Sequence, residues 1–198
     1  MAGTMLVVLV PATAEARPSI CRTGLTVALN SQVRLVRADD ERLFACTPGR
    51  RNARFVAYDD TSDDAVGDVN GVGSLRLAGH FIAGVRTVSD SRRGVFAQTA
   101  VSFRVGKRGV VGGRAGPSSN DVIAIRIRSD GLLVWLEAGT GAGRRLLKRA
   151  NWAAAETQQL DDAEIPASSL ALTRAEIRWT ADGTPRSASA AWHTRTAG

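Results

Sequence analysis

The sequence predicts an all-β protein, and three observations carry that prediction. The first is an internal echo. SLRLAGHFIAG, residues 74–84, returns as SLALTRAEIRW, residues 169–179, with Leu75, Leu77 and Ile82 matched by Leu170, Leu172 and Ile177. The second is alternation. In Leu75-Arg76-Leu77 and Ile125-Arg126-Ile127-Arg128, apolar and polar residues take turns, which is the period of a strand with one wet face. The third is the tight polar turn inside each run. Ser129-Asp130-Gly131 is the clearest, because Asp-Gly is a hairpin signal.

The elements follow in order. LTVALN, residues 25–30, reads as a strand ahead of the first unit. The first unit is VRLVRADDERLFACTPG, with Val33 and Leu35 in place of the paired leucines and RFVAYD, residues 54–59, as a third strand. The stretch 58–73 is acidic and glycine-rich and reads as a long loop. The second unit starts at Leu75 and adds a third strand, GVFAQTAVSFRV, residues 94–105. A fourth strand is expected over 107–114, within the glycine-rich stretch 106–121.

The third unit is VIAIRIRSDGLLVWLEAGTG, followed by RRLLKRA, residues 144–150. Its Ile123 and Ile125 lie about 47 residues from the pairs on either side. NWAAAETQQLDD, residues 151–162, has helix formers and Asn151 as a cap, so a short helix competes there with a strand over 157–161. The fourth unit is the echo itself plus a third strand over 184–190, and then the chain runs out. LTVALN is the candidate to complete that last unit and close a ring, which would hide sheet edges.

A strand-only period of 40–50 residues is the mark of propeller blades, here about four, each hiding its neighbour's apolar face. The alternative for the same strands is a β-sandwich. Trp135 and Trp179 lie on the second strands of their units and are expected to fill space between blades.

Composition sets the bounds. The chain has 198 residues, enough for one domain over 17–198, and is 44% hydrophobic. No apolar run approaches the length of a membrane span. The formal net charge is +7, but the arginines are scattered on alternating positions rather than gathered, so no nucleic-acid patch is expected. Only Lys107 and Lys148 of the 26 basic residues are lysines, which suggests the codon bias of a GC-rich genome.

Export is expected from the first 16 residues. Met5–Val10 is a short apolar core and Ala14-Glu15-Ala16 an A-x-A cleavage site, although the basic segment of a signal peptide is missing. Cys21 and Cys46 agree with export. An even count in an exported chain suggests one disulfide, which would stabilise the fold by about 3 kcal/mol in the chain-entropy model. Two buried thiols are the rival reading.

Repeated (S)LxL–turn–xIxW units in an Arg- and Ala-rich chain with an export signal resemble the β-propeller-like domains of exported actinobacterial proteins. In general character these are similar to WD40- and TolB-type propellers. The resemblance covers roughly residues 25–192 and rests on an apolar pattern. Gly79-His80 begins one strand, but no Trp-Asp closes a unit. The resemblance implies a fold and a binding role, and carries over no catalytic residue.

Motifs for chemistry are sparse. His80 and His193 are the only histidines, and no G-x-S-x-G elbow is present. Gly139-Thr140-Gly141-Ala142-Gly143 departs from the dinucleotide fingerprint and reads as a glycine-rich hairpin loop. Asp60, Asp63, Asp64, Asp68 and Asn70, with Asp59, offer hard oxygen ligands for Ca²⁺, although Val72 and Gly79 break the calcium-loop pattern that starts at Asp68. No cofactor other than Ca²⁺ is suggested.

The function expected is a monomeric, non-enzymatic binding or scaffold module outside the cytoplasm. Arg50, Arg51, Arg144 and Arg145 are placed at a loop face to meet an anionic polymer or an envelope protein. The alternative is a secreted hydrolase acting on glycan or ester, with Asp161, Asp162 and Glu164 as its carboxylates.

Overall fold

Four antiparallel meanders follow one another along the chain in a computed structural model that describes residues 20–49, 53–59, 69–90, 95–106, 110–115, 121–152 and 156–192. The first sheet holds β1 (Leu25–Leu29), β2 (Arg34–Arg37), β3 (Arg42–Cys46) and β4 (Arg54–Tyr58), in that order, preceded by the one-turn helix α1 (Ile20–Thr23). The second holds β5 (Val69–Ala78), β6 (Phe81–Asp90), β7 (Val95–Val105) and β8 (Val110–Ala115). The third holds β9 (Val122–Ile127), β10 (Leu132–Ala138), β11 (Arg144–Asn151) and β12 (Thr157–Glu164). The fourth has three strands, β13 (Ala171–Leu172), β14 (Glu176–Ala181) and β15 (Thr184–Ser189).

The internal echo is a shared register. Leu77 lies opposite Ile82 in the second sheet, and Leu172 lies opposite Ile177 in the fourth. The turns obey their sequences. Asp182 and Gly183 both take positive φ, 52° and 76°, the type I′ geometry that matches strand twist. At Asp130-Gly131 only Gly131 does so, at φ 90°, and its N–H bonds back to the Arg128 carbonyl.

Three apolar clusters join the sheets in chain order. Val33, Leu35, Leu43, Ala45 and Val56 of the first sheet meet Ile82 and Val105 of the second. Ala83 and Ala100 of the second meet Ile125, Leu133 and Trp135 of the third, small residues facing a large one. Leu132, Val134 and Leu136 of the third meet Leu170, Ile177 and Trp179 of the fourth. Trp135 and Trp179 are therefore core, as expected, 0% and 6% exposed. Among the described residues no cluster joins the fourth sheet to the first.

Several expectations need correction. LTVALN does not complete the last sheet: β1 pairs with β2 in the first, because the loop 30–33 between them is short and Asn30 caps it through Oδ1 to the N–H groups of Gln32 and Val33. The stretch 151–162 is not helical in its described part. β11 runs to Asn151 and β12 starts at Thr157, where pairing with β11 outweighs local helix propensity. The loop expected over 58–73 ends early, since β5 begins at Val69. Ile123 is 40% exposed, unlike its counterparts, because the β9–β10 register shifts between Leu136 and Glu137 and leaves it unpaired.

The disulfide is present. Cys21 and Cys46 are bonded across 25 residues and fix α1 to β3. Arg34 reinforces the same junction, donating to the Cys21 carbonyl at 2.9 Å and to Thr26 Oγ1 at 2.8 Å. No helix among the described residues is long and apolar enough to cross a membrane.

Candidate functional site

The outer face of the first sheet carries an aromatic cluster. Leu43 and Ala45 point into the cluster shared with the second sheet, so Phe44, between them, points the other way. Phe44 lies opposite Phe55 in the register, and Arg42 opposite Tyr58, which places all four side chains on one face. The Phe44 and Phe55 rings meet edge to face at 6.0 Å, and Phe55 and Tyr58 at 5.5 Å. Phe55 is 47% exposed and Tyr58 54%. The Arg42 guanidinium sits 5.4 Å from the Phe44 ring centroid. Arg42 also bonds Asp40 at 2.6 Å, which holds the Asp40 carboxyl below its ordinary value.

This cluster was missed in the sequence, where RLFAC and RFVAY look like plain apolar strands. The signal that could have found it is parity. In a strand whose inward positions are already apolar, a phenylalanine at the intervening position faces water. The chain has only five Phe and one Tyr, so three of them on one outer face is a concentration.

Of the four arginines expected at a loop face, two fall within the described residues. Arg50 and Arg51 lie outside the described residues. Arg144 and Arg145 begin β11 and both have partners at or just past the end of β12: Arg144 Nε bonds Asp162 at 3.0 Å, and Arg145 donates to the Ile165 carbonyl at 2.5 Å. The carboxylates named for hydrolysis stand on a strand rather than on loops. Asp161 accepts from Trp179 Nε1 at 2.6 Å and from Arg186 at 2.9 Å, whereas Asp162, on the opposite face of β12, pairs with Arg144. Glu164 is exposed at the end of β12. Asp161 and Asp162 point apart and do not flank one substrate, and Asp162, which shares its face with Glu164, is already paired with Arg144.

For Ca²⁺, Asp60, Asp63, Asp64 and Asp68 lie outside the described residues, and Asn70 stands on β5 opposite Val88. Asp59 is buried and ion-paired with Arg37 at 3.0 Å, while its Oδ1 has no hydrogen-bond partner among the described residues. Among the described residues no three acidic, His or Cys side chains are placed to hold a metal. His80 is exposed at the β5–β6 turn, and His193 lies outside the described residues. The glycine-rich stretch 139–143 is the β10–β11 hairpin turn, as expected.

No protein-family model matches the chain, and no curated protein matches it.

Proposed function

We propose that the chain is an exported, non-enzymatic binding module of propeller-like sheets that docks an envelope protein on the aromatic outer face of its first sheet. One observation carries this reading: Phe55 meets both Phe44 and Tyr58, beside Arg42, and Phe55 and Tyr58 remain open to solvent. Apolar patches left on a surface mark interaction sites, and aromatic and arginine side chains dominate the energetic centres of protein interfaces. Export is supported by the Cys21–Cys46 bond, since disulfides persist in oxidising compartments. The propeller-like arrangement is supported by four successive meanders, each hiding apolar surface of the next.

The anionic-polymer alternative has less support, because Arg144 and Arg145 already have partners. The hydrolase alternative has less because Asp161 and Asp162 point apart and each is already paired with an arginine.

The test is capture of envelope proteins by the immobilised chain and by the double variant Phe55→Ser/Tyr58→Ser. Both positions are exposed, so the variant should melt within a few degrees of the parent. The partner retained by the parent should be lost by about tenfold or more in the variant. Equal capture by both would refute the docking face.

A further inference from the structure

A second site stands apart from the aromatic face, on the outer side of the fourth sheet. Ile177, Trp179 and Ala181 of β14 point into the core, so Glu176, Arg178 and Thr180 point outward. Opposite them across the hairpin stand Ser187, facing Arg178, and Pro185, facing Thr180. These outward residues line a groove of about 370 Å³, which Ser169, Trp179 and Arg186 also border, at the lower end of the roughly 300–1,000 Å³ typical of small-ligand sites.

The charges in this groove are balanced. Arg178 Nε bonds Glu176 Oε2 at 2.6 Å. Arg186 bonds both oxygens of Asp161, at 3.0 and 2.9 Å, and approaches Asp182 at 3.5 Å. Each guanidinium thus has its own carboxylate, and an anion entering the groove would have to compete with one. A hydroxylated ligand would not. Glu176 offers an acceptor and the terminal nitrogens of Arg178 offer donors side by side, which is the pattern that holds two neighbouring hydroxyls of a sugar. Thr180 and Ser187 add hydroxyls, and the Pro185 ring adds apolar surface for the C–H face of a pyranose.

We propose that this groove binds a neutral sugar, a mono- or disaccharide unit of an envelope glycan. The site is independent of the aromatic face, and Asp161 is its positioning residue: it holds Trp179 Nε1 and the Arg186 guanidinium together from beneath. Net charge alone, at +7, would point to an anionic ligand, whereas local pairing points to an uncharged one.

The full chain should be titrated, by NMR of its Trp indole N–H signals, with glucose, galactose, mannose, N-acetylglucosamine and their disaccharides. Glucuronate and inorganic phosphate serve as anionic probes. The signal that vanishes in Trp179→Phe identifies the reporter. A neutral sugar should shift that signal and not those of Trp135 or Trp152, and the shift should persist at high salt. Arg178→Gln, at an exposed position, and Glu176→Gln, at a half-buried one, should weaken binding at least tenfold with an unchanged melting point. Phe55→Ser/Tyr58→Ser should leave it intact. The proposal is overturned if no sugar of the panel moves the Trp179 signal, or if only the anions do and salt abolishes the effect.

Discussion

Arginine is the residue that repays attention first, because so many of these side chains act as staples. Arg128 donates to Asp130, to the Arg174 carbonyl at 2.6 Å and to the Ala190 carbonyl at 2.9 Å, tying the third sheet to the fourth. Arg149 bonds Gln158 and the Ser189 carbonyl and stacks on Trp192, and burial lowers the basicity of its guanidinium. Lysine cannot make such forked contacts. The sequence displayed the abundance of arginine, but not this role, since a carbonyl 46 or 62 residues away leaves no local trace. Arg128 also holds the Asp130 carboxyl below its ordinary value through their hydrogen bond. A depressed carboxylate stabilises the fold above its unfolded-state value of about 3.9 and loses that contribution as pH falls. Asp130→Asn should therefore melt lower than the parent at neutral pH, with the gap closing below about pH 3.9 in a series of melting curves. Gly131 is the neighbouring constraint. Its φ is 90°, and a Cβ there would lie 2.7 Å from Trp152 and 2.8 Å from Phe81. Gly131→Ala should cost about 1–3 kcal/mol by urea denaturation, as strain plus displacement of a packed edge-to-face aromatic pair.

Single strands show why some elements were legible and others were not. LLVWL in β10 was readable as a strand from the Asp-Gly turn ahead of it, and its lack of alternation now has a reason. Leu132, Val134 and Leu136 face the fourth sheet while Leu133 and Trp135 face the second, so both faces are core. β12 was ambiguous because its sequence is polar and helix-compatible, and only pairing with β11 decides it. Glu137 ends the buried run of β10 with a charge, its side chain 2% exposed. It accepts from Trp135 Nε1 at 3.2 Å and pairs with Lys148, one of two lysines in an arginine-rich chain. Removing one partner of a buried ion pair typically costs about 3–5 kcal/mol, while replacing both costs less. Lys148 is partly open to water, at 16%, so Glu137→Gln should fall at the lower end of that range. Glu137→Gln/Lys148→Met should lose less stability than Glu137→Gln alone. A urea-unfolding cycle completed with Lys148→Met, in which the two single losses simply add in the double variant, would show that the pair is not coupled.

For the whole molecule, the repeated LxL–turn–strand pattern announced four small sheets, and the shared register of Leu77–Ile82 and Leu172–Ile177 shows how far that pattern extends into three dimensions. What the pattern left open was how the row of sheets ends. Membership of a sheet depends on which edge β1 reaches, and the short loop ahead of β2 decided that in favour of the first sheet. The first and fourth sheets both present outward side chains, Phe55 and Tyr58 on one and Arg178 on the other, 63% exposed. A row in which each sheet touches only its neighbours stores stability in nearest-neighbour interfaces, and damage to one end need not reach the other. Ile177 is fully buried in the cluster between the third and fourth sheets, so Ile177→Ala should remove about 2–5 kcal/mol from that interface. In native-state hydrogen exchange, the amides of β13, β14 and β15 should then lose protection, followed by those of β12. The amides of β2 and β3 should keep the parent's rates, because two intact clusters stand between them and the damage. In a closed ring the first sheet would be the fourth sheet's other neighbour and would lose protection next. Faster exchange in β2 and β3 than in β9 and β10 of the variant would therefore show a ring, and the opposite order an open row.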